Sequence, residues 1–314
     1  MSYIGTTKIG GMYLGSTEIA KAYLGSSLVY QKAGEPVPDH ACVTFTSSST
    51  NTLSMTCNGT AAPVLYYSTN GTTWTQWNYS ALTISAGHPV FMYGNNPSSF
   101  SSSADNYAQF SIGGTGKVSC TGDLTTFIDG TGNVATIPSS YYFYRLFYQC
   151  AKLLGTPDLP STTMKNWCYS EMFGRCSAIT TAPSLPATTL ASRCYRSMFN
   201  RCSALVNVPT TLPATTLATY CYNYMFYSCG NLVTAPVLPA VTLVDQCYSQ
   251  MFNGCSKLNY IKAMFTTTPT TGRTASWVSG VAATGTFVKN SAATWNVVGV
   301  YGVPSGWTIE TASS

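Results

Sequence analysis

Charge is what this sequence has least of. Only 8% of its 314 residues are Asp, Glu, Lys or Arg, and there are 2 histidines. The acidic residues are scattered: Glu18, Glu35, Asp39, Asp105, Asp123, Asp129, Asp158, Glu171, Asp245 and Glu310. Glycoside hydrolysis needs two carboxylates about 5–9 Å apart. Asp123 and Asp129 alone lie close within one loop, and that loop reads as a solvated face. His40 stands at a strand start and His88 in a Gly-His-Pro turn. A base paired with Cys42 or Ser85 as nucleophile has no further support. GGTGK (Gly113–Lys117) lacks the GK[ST] that opens a helix in a phosphate loop. No catalytic set assembles, and neither cofactor nor metal is expected. No apolar run reaches the roughly 18 residues of a membrane span. The net charge of +5 is spread without a Lys/Arg cluster, which argues against nucleic acid as a partner. MSYIGTTKIGG carries no apolar core for a signal peptide. The expected product stays in the cell that makes it or leaves by lysis inside a particle.

Repetition is what the sequence has in abundance. CYSEMFGRC (Cys168–Cys176) returns as CYRSMFNRC, CYNYMFYSC and CYSQMFNGC, and a degenerate first copy, YYFYRLFYQC, ends at Cys150. The closing cysteines Cys150, Cys176, Cys202, Cys229 and Cys255 are 26, 26, 27 and 26 residues apart. Phe147, Phe173, Phe199, Phe226 and Phe252 keep the same step. Leu190, Cys194, Met198, Cys202 and Leu205 space apolar residues as one stripe of an amphipathic helix. Thr188 or Thr189, with Thr215, Thr216 and Thr242 in sister copies, would cap that helix. The other half, AITTAPSLPA or NLVTAPVLPA, is bracketed by Pro183, Pro209 and Pro236, leaving about three strand residues. One such unit buries too little apolar surface to order itself, so like residues must pile on one another in a solenoid.

The 12 cysteines fit buried free thiols best. Cysteines eight apart on one helix sit about 12 Å apart, and equivalents on neighbouring helices about 8–10 Å. A disulfide needs Cα atoms within about 7 Å. Some bridges stay open as an alternative, while zinc would lack close ligand pairs.

The pattern MF-x-x-C-x-x-L-x-x-x-P-x-LPATTL-x-x-x-CY resembles the BspA-type leucine-rich repeat of bacterial surface proteins, over about 130 of 314 residues. The period falls in the leucine-rich range of about 20–29. An extra proline before each Leu-Pro departs from the family and implies a shorter strand. The resemblance implies a surface displayed to partners or glycans, with no catalytic motif residue.

Residues 1–32 hold a second repeat of period ten, YIGTTKIGGM, YLGSTEIAKA, YLGSSLVYQK. Tyr3, Tyr13 and Tyr23 recur with Gly5, Gly15 and Gly25, reading as strand, glycine turn, strand. Units this small need a partner, so they are expected to dock on a larger body or to oligomerise. This stretch is similar to N-terminal segments of head and tail fibre proteins of Bacteroides (crAss-like) phages. Residues 33–39 form a linker. Residues 40–140 read as a β-sandwich, with strands at Ala41–Thr46, Thr52–Cys57, Val64–Tyr67, Thr73–Trp77, Val90–Tyr93, Ala108–Ile112 and Lys117–Cys120. YSTNGTTW (Tyr67–Trp74) resembles a degraded Asp box and supports a hairpin; Trp74 and Trp77 would pack there or stack on sugars. Residues 141–268 make a five-copy repeat array. Residues 269–314 form a β cap with strands near Gly285–Lys289, Val297–Tyr301 and Trp307–Glu310, covering the open end.

The expected class is therefore multidomain and β-rich: N-terminal β anchor, β-sandwich, and short α/β leucine-rich-repeat solenoid with β cap. Tyr169, Tyr195, Tyr222 and Tyr248 form one row, with Arg175, Arg201, Arg193 and Arg196 nearby. That row suits sugar or protein binding, or else a tyrosine layer closing the core. The function expected is a non-enzymatic virion fibre displaying its repeats for host-surface or glycan attachment. It would join capsid or tail proteins through the N-terminus and form a homo-oligomer, commonly a trimer in such fibres. The alternative is a bacterial cell-surface adhesin with the same repeats. A carbohydrate-active enzyme would need two carboxylates converging in a cleft.

Overall fold

The computed structural model describes residues 13–14, 17–18, 21–24, 27–31 and 39–312. Tyr3, Gly5, Gly15, Gly25 and the linker before Asp39 lie outside the described residues. Tyr13 belongs to β1 (Tyr13–Leu14), antiparallel to β2 (Thr17–Glu18). Tyr23 belongs to β3 (Lys21–Leu24), antiparallel to β4 (Ser27–Gln31). The second and third ten-residue units are thus strand pairs.

All seven strands read in 40–140 are present. They are β5 (Val43–Thr46), β6 (Asn51–Cys57), β7 (Leu65–Ser68), β8 (Thr75–Gln76), β10 (Val90–Gly94), β11 (Ala108–Gly114) and β12 (Ser119–Thr121). An eighth, β9 (Leu82–Ile84), is too short to have shown a period. One antiparallel sheet has the order β12-β5-β10-β7-β8 and the other β11-β6-β9. Alternation buries Asn51, Leu53 and Met55 along β6. The sheets meet where Phe45 and Phe110 come within 5.5 Å. A short helix, α1 (Thr126–Asp129), buries Phe127 and Ile128 and leads into the repeats.

The five copies that end at Cys150, Cys176, Cys202, Cys229 and Cys255 contain no α-helix among the described residues, which corrects the α/β expectation and the threonine caps. The segment from each Cys-Tyr pair to the closing cysteine is a chain of overlapping turns. In the second copy Trp167, Tyr169, Glu171, Phe173 and Arg175 donate their N–H groups to Ser192, Cys194, Arg196, Met198 and Asn200 of the next copy, at 2.7–3.0 Å. The intervening N–H groups, of Cys168, Ser170, Met172, Gly174 and Cys176, close back onto carbonyls three residues earlier. Every fourth residue is left-handed, as at Trp167 (φ 61), Glu171 (φ 57) and Arg175 (φ 63). Side chains then run two in and two out, so Cys168-Tyr169, Met172-Phe173 and Cys176 are buried. A step of four is also the helical i, i+4 step, which is why the stripe reads as a helix. The proline-bracketed half contributes isolated parallel bridges, Thr181↔Asn207 and Thr211↔Val237, rather than strands. Of the threonines expected to cap, Thr189 and Thr216 pair instead in one ladder, Thr136↔Thr163↔Thr189↔Thr216.

The inward residues form columns. Phe110 of β11 stacks on Phe147 at 5.2 Å, and the series continues through Phe173, Phe199, Phe226 and Phe252 at 5.5–5.8 Å. Phe143, Tyr169, Tyr195, Tyr222 and Tyr248 form a second column at 5.8–6.0 Å. Each closing thiol donates to the phenylalanine carbonyl of the preceding copy: Cys176 to Phe147 (2.9 Å), Cys202 to Phe173 (3.0 Å), Cys229 to Phe199 (3.1 Å) and Cys255 to Phe226 (3.0 Å). Cys150 does the same to Phe110 (3.1 Å), so β11 serves as the layer beneath the first copy. The nine cysteines of the repeats are buried free thiols. A cysteine fits because the site needs a small apolar body with one donor.

The array runs past the five copies read from the sequence. Tyr248, Gln250, Phe252 and Gly254 donate to Arg273, Ala275, Trp277 and Ser279, which makes residues 271–280 a sixth copy. α2 (Thr271–Thr274) opens it, and Trp277 closes both columns, 6.2 Å from Tyr248 and 6.1 Å from Phe252. β13 (Tyr260–Ala263), β14 (Thr286–Lys289) and β15 (Thr308–Thr311) form a parallel sheet in that order. Two of the expected tail strands are there; Val297–Tyr301 is not a strand and keeps one bridge, Val298↔Val303. All four residues of β15 are exposed, so the tail moves the open edge outward instead of covering it. One core is continuous from Val43 to Trp307.

Candidate functional site: an arginine and aromatic face

The left-handed positions line up from copy to copy on the outer side of the coil, with Ser197 alone among them buried. Tyr141, Trp167, Arg193, Tyr220 and Gln246 make one row. Arg145, Glu171, Ser197, Tyr224 and Gln250 make the next, then Gln149, Arg175, Arg201, Ser228 and Gly254. No β-branched side chain occupies any of these positions, as expected where φ is positive.

Arg193 lies between two rings, its Cζ 4.9 Å from the Trp167 centroid and 4.4 Å from Tyr220. Tyr141 stacks on Trp167 at 5.4 Å. Glu171 accepts from Arg145 Nη2 at 2.8 Å and Arg196 Nη1 at 3.2 Å. Arg145 also lies 5.0 Å from the rings of Tyr144 and Tyr148. Burial works against its charge, but Glu171, Tyr107 and Tyr144 together more than offset this and hold the guanidinium ionised, above its ordinary pKa. Burial, with Glu171 adding to it, pushes the Tyr144 phenol up to about 12. Two adjoining grooves result. One of about 340 Å³ is lined by Tyr148, Glu171, Arg175, Arg201, Tyr224 and Tyr227 among others. The other, about 420 Å³, is lined by Trp167, Arg193, Tyr220, Asn223 and Gln246, and shares Arg196 and Tyr224 with the first. Arg175 and Arg201 are exposed, and neither they nor Arg193 pair with a carboxylate among the described residues.

The tyrosine row expected to bind is the interior column. Tyr169, Tyr195, Tyr222 and Tyr248 are at most 1% exposed, so their rings meet each other and no ligand. Burial foremost, and the adjacent thiols next, push the phenols of Tyr195, Tyr222 and Tyr248 well above their usual value. Arg175 and Arg201 do lie on the outer face. Sequence reasoning missed Trp167, Tyr220 and Tyr224. Their signal was position: Trp167 and Tyr220 immediately precede a Cys-Tyr pair, where the sister copy has Arg193.

Elsewhere several polar groups are tied into structure. Asp129 accepts from the N–H groups of Thr131 (2.8 Å) and Gly132 (3.1 Å), and Asp123 from the N–H and Oγ1 of Thr125 at 2.7 Å each. Asn70 Oδ1 accepts from the N–H groups of Thr72 and Thr73, closing the hairpin read from YSTNGTTW. Trp74 donates to Asp39 at 2.7 Å and packs on His40 and Tyr93. Trp77 is buried and stacks on Phe110. Among the described residues no group of His, Cys, Asp and Glu is placed to hold a metal. None of their helices is long and apolar enough to cross a membrane.

No protein-family model, curated protein or solved structure matches this chain. The β-rich architecture, with its several antiparallel sheets and few helical residues, is what classifies it.

Proposed function

We propose that the chain is a non-enzymatic display protein, a head or tail fibre of a phage, whose solenoid of stacked copies carries the arginine and aromatic face to the host surface. One observation supports this most. Left-handed backbone costs a non-glycine residue roughly 1–2 kcal/mol, yet eight of the fifteen outer-grid positions are Arg, Trp or Tyr and glycine stands only at Gly254. Stability alone does not call for such residues; recognition does. The grooves contain one carboxylate, Glu171, clamped between two guanidiniums, which suits binding rather than general acid and base chemistry. The fibre assignment rests on the resemblances of the repeats and of residues 1–32. Tyr3, Tyr13, Tyr23 and the glycines Gly5, Gly15 and Gly25 would dock on capsid or tail proteins, or join copies of the chain.

The test is antibody labelling of intact particles and of uninfected host cells, with the purified full-length chain added to host cells in parallel. Label on particles and saturable binding to cells are expected. Label on cells alone selects the adhesin reading, and particles without label refute the fibre.

A further inference from the structure

We infer that the outer face binds a linear polysaccharide bearing carboxylates, one sugar ring to each repeat copy. The inference rests on the display reading and names its ligand. Charge comes first. Five arginines, Arg145, Arg175, Arg193, Arg196 and Arg201, face the two grooves or their rim with Glu171 as the sole acid. Glu171 occupies Arg145 and Arg196, leaving Arg175, Arg193 and Arg201 without an anionic partner among the described residues. The Arg193 guanidinium, seated between Trp167 and Tyr220, has N–H donors beyond the one directed at Ser192 Oγ to offer an oxyanion.

Spacing comes second. Arg175 and Arg201 are equivalent residues of adjacent copies, joined through one layer of backbone hydrogen bonds (Arg175 N–H to Asn200 C=O, 2.7 Å). Parallel chains so bonded lie about 4.8 Å apart, close to the advance of a pyranose chain per ring. Aromatic faces on the same surface, Tyr148, Trp167, Tyr220, Tyr224 and Tyr227, suit the C–H faces of sugars. Nucleic acid fits less well. It needs a stripe of cations along many phosphates, whereas this grid gives way to Gln246, Gln250 and Gly254 in the fifth copy.

The full-length chain is titrated with oligomers of galacturonate, mannuronate and hyaluronate, using neutral galactan oligomers, dextran sulfate and single-stranded DNA of matched length as comparisons. Trp167 fluorescence and calorimetry report binding. At least one carboxylated oligomer should bind about tenfold tighter than every comparison, and R175A/R201A should remove about tenfold of that affinity. R193K should not restore what R193A loses, because an ammonium cannot lie flat between two rings. Arg175 and Arg201 are exposed, so an unchanged melting temperature separates lost binding from lost folding. Equal binding of neutral and acidic oligomers, with R175A/R201A unaffected, overturns this inference while leaving glycan display intact. Equal binding of dextran sulfate or DNA overturns it as general polyanion adhesion. Failure of every carboxylated oligomer overturns it as well, even where the chain still binds host cells.

Discussion

Raising the pH should unfold the repeats abruptly, because their cores are lined with thiols that cannot ionise in place. Burial pushes Cys150, Cys194, Cys202 and Cys255 up to about 12 and Cys247 to about 11, from an ordinary 9.0. Burial, with neighbouring thiols adding, raises Cys168, Cys176, Cys221 and Cys229 well above 9.0 too. A group whose pKa is higher folded than unfolded contributes stability that is intact below the unfolded value. That stability is lost as pH climbs from there through the folded value. The window therefore opens near pH 9 and runs to about 12. Each thiol kept protonated forfeits about 0.8 kcal/mol at pH 9.5 and about 1.4 kcal/mol at pH 10. The nine repeat thiols act together, so the loss is about 8 kcal/mol at pH 9.5 and about 13 kcal/mol at pH 10. Domains have about 5–15 kcal/mol in total, which places the collapse between roughly pH 9.5 and 10. The assay follows circular dichroism and thiolate absorbance together in the presence of a reductant. Both should change in one step, and Cys194→Ala with Cys202→Ala should lower the number of protons released in that step. A stack still ordered above about pH 11, or thiolates forming near pH 9 with the fold intact, would refute the reasoning.

Three further outcomes follow from the columns and the grid. Phe199→Ala empties a fully buried site between Phe173 and Phe226 and should cost about 3–5 kcal/mol in urea unfolding; a loss under about 1 kcal/mol would mean the column carries little. Trp277→Ala uncovers both columns, so hydrogen exchange should quicken at the amides of Tyr248 and Phe252 while those of Phe147 and Tyr169 stay protected; uniform quickening would show that the end is not a separate closure. Arg201→Val puts a β-branched residue at φ 59 and should destabilise by about 1–2 kcal/mol relative to Arg201→Gly, measured by thermal melting, and equal melting would contradict the left-handed assignment.

Much of the framework was legible because burial writes itself as repetition. Phe173, Phe199 and Phe226 recur at a fixed step because each needs an identical ring above and below. The cysteines recur because each meets an identical carbonyl. The helix was misread because Cys194, Met198 and Cys202 step by four, which a helix and a ladder of four-residue turns share. Backbone handedness decides between them, and it leaves only a weak mark, the missing β-branched residues at Trp167, Glu171, Arg175 and their equivalents. The same gap reversed the site. Tyr169 and its equivalents looked like a surface row because a period states which residues align and not which way they face.

By itself the sequence determined the period, the membership of each column, the strand content of residues 40–140 and the scarcity of carboxylates. Those are properties of residue type and spacing, and no folding is needed to see them. Tertiary structure alone decided that alternate amides reach the next copy, that Phe110 and Trp277 close the two ends, and that Arg193 lies between Trp167 and Tyr220. Each of those joins residues about one copy or more apart, and only the stacking of one coil on another brings them into contact.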